Sequence, residues 1–206
     1  MKNIDLSLYL VTGEAESDEE FLKIIEEAII GGVRIVQLRE KTADTLDFYK
    51  LAVKVKKLTS EYNVPLIIND RLDIALAVDA DGVHVGQSDM PCSVARELIG
   101  DDKILGVSAT TVSEAKKAED DGADYIGSGA VFPTKTKKDA SSITKKDLTD
   151  IVNSISIPVV AIGGITVENA RELTDTGIKG LSVVSEIMNA DNPRETSEKL
   201  LNIFNS

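Results

Sequence analysis

Eight short apolar runs, separated by amphipathic stretches, constrain the fold of this chain more than any other feature of its sequence. Runs of β-branched and other apolar residues of this length predict β-strands. Between several of them, apolar residues recur at the spacing of one helix face. The predicted strands are 8–11, 33–38, 65–68, 82–85, 103–107, 125–127, 158–162 and 180–184, and the amphipathic stretches include 18–30, 45–62, 112–120 and 167–176.

This alternation of strand and helix predicts a parallel sheet. Glycine, the usual residue after a helix end, precedes several of the predicted strands, as at Gly32, Gly122 and Gly177. Eight such units in 206 residues favour a single (β/α)8 TIM barrel over residues 1–206, with a doubly wound sheet as the alternative. No linker or low-complexity segment divides the sequence.

Composition and charge exclude several classes of partner. A net charge of −12 is typical neither of nucleic-acid binding nor of binding to an acidic membrane surface, because both need a basic surface. No apolar stretch has the length of a membrane span, and no signal peptide is visible. The single cysteine, Cys92, fits a reducing compartment. We therefore expect a cytoplasmic protein that binds neither nucleic acid nor membrane.

Polar side chains follow most of the predicted strands at their carboxyl ends. In a barrel these ends and the loops after them form the active site. The sequence therefore predicts that the polar and charged groups meet on one rim. The candidate segments are 37–41, 69–71, 86–89, Ser108, 127–137, 163–164 and Ser185.

The glycines after the seventh strand predict a phosphate site. Gly163-Gly164, together with Val184-Ser185 after the eighth strand, stands where barrels present backbone N–H groups to a phosphate. The alternative is that paired glycines only allow a tight turn. The position after strand seven favours the phosphate.

Two aspartates predict a magnesium site. Asp70 and Asp89 follow neighbouring strands, and two carboxylates that leave room for water and phosphate oxygens suit Mg²⁺. Each could instead cap the helix that follows it. With Arg39, Lys41 and Lys137, the pair has the composition of a diphosphate site. His84 and Cys92 are expected to be a packed or hydrogen-bonded barrel residue and a buried thiol.

The chain resembles the thiamine phosphate synthase family in seven segments that run in order along nearly its whole length. The Gln-x-Arg-x-Lys and Phe-Pro-Thr-x-Thr-Lys patterns are the most specific of these segments. They are Tyr9-Leu-Val-Thr12, Val36-Gln-Leu-Arg-Glu-Lys41, Ile68-Asn-Asp-Arg71, Gly82-Val-His-Val-Gly-Gln-Ser-Asp-Met-Pro91, Gly106-Val-Ser108, Val131-Phe-Pro-Thr-Lys-Thr-Lys137 and Ile162-Gly-Gly-Ile165.

The resemblance implies two phosphorylated heterocycles as substrates and a role for each candidate residue. Contacts to a pyrimidine diphosphate are implied for Gln37, Leu38, Arg39, Glu40, Lys41, Asn69, Ser108 and Lys137, of which Arg39, Lys41, Ser108 and Lys137 are catalytic. Contacts to a thiazole phosphate are implied for Thr134, Lys135, Thr136, Gly164, Val184 and Ser185, and Mg²⁺ would be held by Asp70 and Asp89. The family also implies a homo-oligomer, whose interface the sequence does not identify.

The family's chemistry accounts for the lack of a recognisable nucleophile beside a base. Diphosphate leaves the pyrimidine methylene, and the thiazole nitrogen attacks the resulting cation, so the protein acts electrostatically. Two alternatives stay open. A related thiazole tautomerase would share the barrel and phosphate site, and a nonenzymatic phosphate-ligand sensor would bind without turnover.

Overall fold

A computed structural model describes residues 4–134 and 142–206, and its eight strands close into a parallel barrel. Each strand pairs with the next in sequence, and β1 pairs with β8 to complete the closure. The strands are β1 (Leu8–Val11), β2 (Ile35–Leu38), β3 (Leu66–Asn69), β4 (Gly82–Val85), β5 (Ile104–Ser108), β6 (Tyr125–Ser128), β7 (Val159–Ile162) and β8 (Gly180–Val183). The predicted TIM barrel is confirmed, and the doubly wound alternative is wrong.

Helices cover the outside of the barrel. They are α1 (Asp18–Ile30), α2 (Thr45–Glu61), α3 (Leu72–Ala77), α4 (Cys92–Ile99), α5 (Val112–Asp120), α6 (Lys145–Ser154), α7 (Ser185–Met188) and α8 (Pro193–Phe204). Side-chain caps begin several of them: Ser17 accepts from the backbone N–H of Glu20 at α1, and Thr111 and Glu114 form a capping box at α5. In the described ranges, no helix is long and apolar enough to cross a membrane.

One of the predicted helices is not an α-helix in the structure. The amphipathic stretch 167–176 forms only a short 3₁₀ helix, Ala170–Leu173. Asn169 explains the difference, because its side-chain oxygen accepts from the N–H of Thr166 and its amide nitrogen donates to the carbonyl of Gly164. Such side-chain bonds to backbone compete with regular helix.

Alternation along the strands divides the core in two. Tyr9, Ile35, Ile67, Tyr125 and Val160 pack together inside the barrel, whereas the residues between them on each strand join the larger cluster under the helices. Side chains two residues apart on a strand share a face. The last inward positions of the strands therefore bring polar side chains to the carboxyl-end rim.

Candidate active site

The interior face of four strands ends in polar side chains at this rim. Gln37 is two residues after Ile35 on β2, and Asn69 is two residues after Ile67 on β3, so both point inward. His84 on β4 and Ser108 on β5 occupy the corresponding positions. The first three of these residues are buried, and Ser108 is partly exposed. The structure thus places Gln37, Asn69 and Ser108 on the interior face of their strands at the same rim.

Two other predicted contact residues, Leu38 and Glu40, do not present a free side chain to the rim. The Leu38 side chain lies in the outer core under the helices, so only its backbone faces the rim. Oε1 of Glu40 accepts from the N–H groups of Thr42 and Ala43, at 2.6 and 3.0 Å, and thereby shapes the loop after β2. Burial raises the pKa of Glu40, but these backbone bonds outweigh it, so the pKa is lowered. The carboxylate stays ionised and holds the turn.

The backbone before this turn is also fixed. The hydroxyl of Thr12, fully buried at the end of β1, accepts from the N–H of Arg39 at 3.0 Å. Arg39 itself is partly exposed at the rim. Hydrogen bonds therefore fix the backbone of the loop after β2, which carries Arg39 and Lys41.

Lys41, Asp70 and Asp89 form a charged cluster at the ends of β2, β3 and β4. The ammonium of Lys41 pairs closely with the carboxylate of Asp70. The carboxyl group of Asp89 lies within hydrogen-bonding reach of Asp70, and its Oδ2 accepts from the N–H of Gly86 at 2.7 Å. Burial and the adjacent Asp70 raise the pKa of Asp89. Two carboxylates are therefore held together although their charges repel.

Asp70 and Asp89 do not cap the helices that follow them. Helix α3 begins after Arg71 and α4 after Pro91, and neither helix receives a side-chain cap bond. Asp70 takes a left-handed backbone conformation with φ of 61°, in which its N–H donates to the carbonyl of His84 at 2.8 Å. This geometry turns the carboxylate toward Lys41 and away from the helix start.

The carboxylate pair fits Mg²⁺ by the chemistry of its donors. Within residues 4–134 and 142–206, no three His, Cys, Asp or Glu side chains lie close enough together to hold a metal ion. Mg²⁺ is commonly held by one or two carboxylates, with water and phosphate oxygens completing its six positions. Asp70 and Asp89 can supply the protein's share, and a cation between them would relieve their mutual repulsion.

The opposite part of the rim is made by the loops after β6, β7 and β8. Gly163 and Gly164 have φ of 102° and 66°, and a Cβ on Gly164 would collide with Phe132 and Pro133. The glycine pair therefore both turns the chain and lets the loop after β6 approach. Val184 is partly buried and Ser185, the first residue of α7, is exposed. Thr134, in the loop after β6, is the last described residue before 142, and the predicted residues Lys135, Thr136 and Lys137 lie outside the described residues.

Two buried tyrosines, which sequence reasoning missed, join the predicted residues through the barrel interior. The amide Nε2 of Gln37 donates to Oη of Tyr9 at 2.7 Å, and the two tyrosine hydroxyl oxygens are 2.6 Å apart. Tyr125 Oη lies 2.9 Å from Nδ1 of His84, and Nε2 of His84 lies 2.9 Å from Oγ of Ser108. A usable signal was present, since a strand tyrosine facing a barrel interior needs a partner for its hydroxyl.

His84 and Cys92 take the unreactive roles expected of them. His84 is buried and hydrogen-bonded within this network. Cys92 is buried against the carbonyls of Ala118 and Asp121, and burial raises the pKa of its thiol to about 11. A thiol with that pKa is protonated and unreactive at neutral pH.

Known proteins resemble this chain over nearly its whole length. A family profile described as thiamine monophosphate synthase matches residues 8–187. A thiamine-phosphate synthase from Methanobrevibacter smithii is 68% identical over 204 residues, which cover 99% of this chain and 98% of the relative. Another, from Alkaliphilus oremlandii, is 56% identical over 198 residues, 96% of this chain and 95% of the relative.

A solved structure agrees with these sequence matches. The thiamine phosphate pyrophosphorylase from Pyrococcus furiosus superposes with a TM-score of 0.87 at 42% identity, and the match covers 98% of this chain and 96% of that one. The family match extends from β1 into α7. It therefore includes every strand that carries a residue of the rim.

Proposed function

The chain belongs to the thiamine monophosphate synthase family and is a transferase of that family, and on this premise we propose that it joins an aminopyrimidine to a thiazole. The pyrimidine carries a diphosphate on its methylene group, and the thiazole carries a phosphate on its side chain. The products are thiamine phosphate and diphosphate. The cluster of Lys41, Asp70 and Asp89 carries the proposal, because it pairs a fixed cation with two carboxylates at one edge of the rim.

In the proposed reaction, the bond between the methylene carbon and the diphosphate oxygen breaks first. Its electron pair leaves with diphosphate, and the electron-rich aminopyrimidine stabilises the resulting cation. The thiazole nitrogen then donates its lone pair to the methylene carbon, which forms the new carbon–nitrogen bond. The protein needs no nucleophile for this sequence.

The protein's own residues stabilise the leaving group and orient the two rings. Arg39 and Lys41 would face the diphosphate, and Lys137 would join them from the β6 loop. Gln37, Asn69 and Ser108 would hold the pyrimidine side from the interior, where Gln37 and Asn69 are at most 8% exposed. Asp70 and Asp89 would hold Mg²⁺, which when bound neutralises charge that develops on the departing diphosphate.

The thiazole phosphate would occupy the other side of the rim. Gly164, Val184 and Ser185 belong to the loops after β7 and β8, where barrel enzymes frequently bind phosphate. Thr134 follows Pro133, whose carbonyl oxygen lies against Gly164, and Lys135 and Thr136 follow Thr134 in sequence. The thiazole would then meet the pyrimidine above the barrel axis.

A product assay tests this proposal directly. Purified protein would be incubated with the pyrimidine diphosphate, the thiazole phosphate and Mg²⁺, and thiamine phosphate and diphosphate would be followed by chromatography. We expect both products in equal amounts, and we expect them to disappear when EDTA replaces Mg²⁺. Binding without product would contradict the proposal, and a thiazole isomerisation assay would then separate a tautomerase from a sensor.

A further inference from the structure

Hydrogen bonds through the barrel interior form a file from Gln37 to Ser108, and Gln37 also lies within hydrogen-bonding reach of Tyr125. Four contacts of 2.7, 2.6, 2.9 and 2.9 Å join, in order, Gln37, Tyr9, Tyr125, His84 and Ser108. These residues come from β2, β1, β6, β4 and β5, so the file crosses the barrel. We call these five residues the interior relay. Its two ends lie at the rim.

The interior is built to hold this relay. A Cβ on Gly106 would collide with the ring of Tyr125 and with Nδ1 of His84, and a Cβ on Gly127 would lie 3.1 Å from Cε1 of His84. Neither glycine has a positive φ, so backbone conformation does not require them. Their small size leaves the space that the tyrosine and histidine rings occupy.

The first bond favours one direction for the others. Because the Gln37 amide donates to Tyr9 Oη, the Tyr9 proton is free to donate to Tyr125 Oη. The Tyr125 proton then points to Nδ1 of His84, which acts as an acceptor. In this direction His84 carries its proton on Nε2 and donates it to Oγ of Ser108. The Ser108 oxygen receives a bond from within, and its own proton remains for an acceptor at the rim.

The two tyrosine hydroxyls stay protonated, so each can accept one hydrogen bond and donate the next. Tyr9 and Tyr125 are both fully buried, and burial is the main reason that the pKa of each hydroxyl is raised. Each therefore keeps one proton and one donor direction at neutral pH. A phenolate in either place would accept from both sides and interrupt the file.

We infer that Tyr9, Tyr125 and His84 are positioning residues, which orient the Ser108 hydroxyl to donate its proton to the pyrimidine diphosphate. The inference rests on the proposed function for the identity of that ligand. All three side chains are buried, so we assign none of them a contact with the substrate. They act through the bond that His84 donates to Oγ of Ser108 before the substrate arrives, which leaves the proton of that hydroxyl to be donated at the rim.

The first test needs no substitution, because His84 is the only histidine in the sequence. NMR of protein labelled with ¹⁵N-histidine reports both of its ring nitrogens without assignment. We expect Nδ1 to resonate as an unprotonated, hydrogen-bonded nitrogen and Nε2 as a protonated one. A proton on Nδ1 would mean that the relay runs in the opposite direction and would overturn the inference. This readout is independent of turnover, so it stands apart from the test of the proposed function.

The second test is kinetic. Tyr9→Phe removes one hydroxyl that touches neither His84 nor Ser108, yet we expect the Nδ1 resonance to move and kcat to fall about tenfold with little change in KM, as for one hydrogen bond lost in the transition state. Tyr62→Phe is the matched control, since it removes a surface hydroxyl that donates to Glu26 at 2.7 Å. We expect that control to leave kcat unchanged.

A double-variant comparison separates positioning from packing. If Tyr9 acts through Ser108, then adding Tyr9→Phe to Ser108→Ala should lower kcat no further than Ser108→Ala alone. Fully multiplicative losses would show that the two residues act independently and would overturn the inference. Should Tyr9→Phe fail to fold, Tyr125→Phe offers the same comparison from the next residue of the relay.

Discussion

The two ends of the barrel both carry buried or half-buried charges, but they use them in opposite ways. At the amino end, Arg96 donates to the carbonyls of Gly100, Lys103 and Gly122 and pairs with Asp124 at 2.6 Å. At the carboxyl end, Lys41 meets two aspartates that also face each other. At the amino end, carbonyl and carboxylate groups of the protein itself pair with the charge of Arg96. The carboxyl end leaves like charges together, which is an arrangement that a cationic ligand stabilises.

The amino end also ties the strands to one another. Oδ2 of Asp124 accepts from the N–H of Leu105, and Oδ2 of Asp81 accepts from the N–H of Leu66, both at 2.8 Å. Each of these aspartates precedes one strand and bonds to the first residues of its neighbour. Charges at this end therefore serve stability, whereas the charges at the other end are the ones for which we propose a role in binding.

The largest expected effect is on stability, at the amino end. Arg96→Met removes every hydrogen bond that the guanidinium makes, including the ion pair with Asp124, whose side chain is 16% exposed. We expect the free energy of unfolding to fall by about 3 kcal/mol, the cost of breaking a largely buried ion pair. Urea denaturation measures it. Asp124→Asn keeps an acceptor for Leu105 and should cost less.

The same variant also tests whether the two ends are independent. Below the unfolding transition, Arg96→Met should retain the kcat of the parent protein, because Arg96 is at the opposite end from the rim. A large loss of kcat in folded protein would mean that the amino end shapes the site. The comparison between the ends would then fail.

The next effect is on activity, at the carboxyl end. Asp70→Asn removes one of the two facing carboxylates, and asparagine tolerates the left-handed conformation of this residue, with φ of 61°. We expect kcat/KM to fall roughly 100-fold or more. The midpoint of thermal unfolding should change little, because the lost repulsion with Asp89 offsets the lost ion pair with Lys41. A variant that kept near-normal turnover would remove Asp70 from the site.

A third variant extends the comparison to the loop after β6. Lys137 lies outside the described residues, so its role rests on the resemblance and on the charge that a departing diphosphate requires. We expect Lys137→Ala to lower kcat by about a hundredfold. Lys116→Ala, on the exposed face of α5, is the matched control for loss of one lysine. Equal rates in both variants would exclude Lys137 from catalysis.

Local sequence patterns predict part of this structure. The barrel follows from patterns that are local, because each strand and each helix stop is visible within a few residues. Gln37, Asn69 and Ser108 were predictable for the same reason, since each stands at the end of an apolar run. The position of a residue at a strand end is enough to place it on the rim.

The interior relay could not be predicted in this way. Tyr9 and Tyr125 are 116 residues apart, and their hydroxyl groups meet only because the closed barrel brings β1 and β6 across from each other. Whether Asp70 caps the helix after it depended on one backbone torsion, which no local pattern specifies. The short 3₁₀ helix depended on two bonds made by the single side chain of Asn169.

The smallest effect is expected for an exposed ion pair on α6, which serves as a reference for the charges at the two barrel ends. Lys146 pairs with Asp150 one turn along α6, where the two side chains are 81% and 48% exposed. Water screens such a pair, and ordering two long side chains offsets most of its attraction. Lys146→Gln should therefore change the free energy of unfolding by less than about 0.5 kcal/mol and leave kcat unchanged. A loss comparable to that of Arg96→Met would mean that burial does not distinguish the ion pairs of this protein, and the contrast between its satisfied and its exposed charges would have to be abandoned.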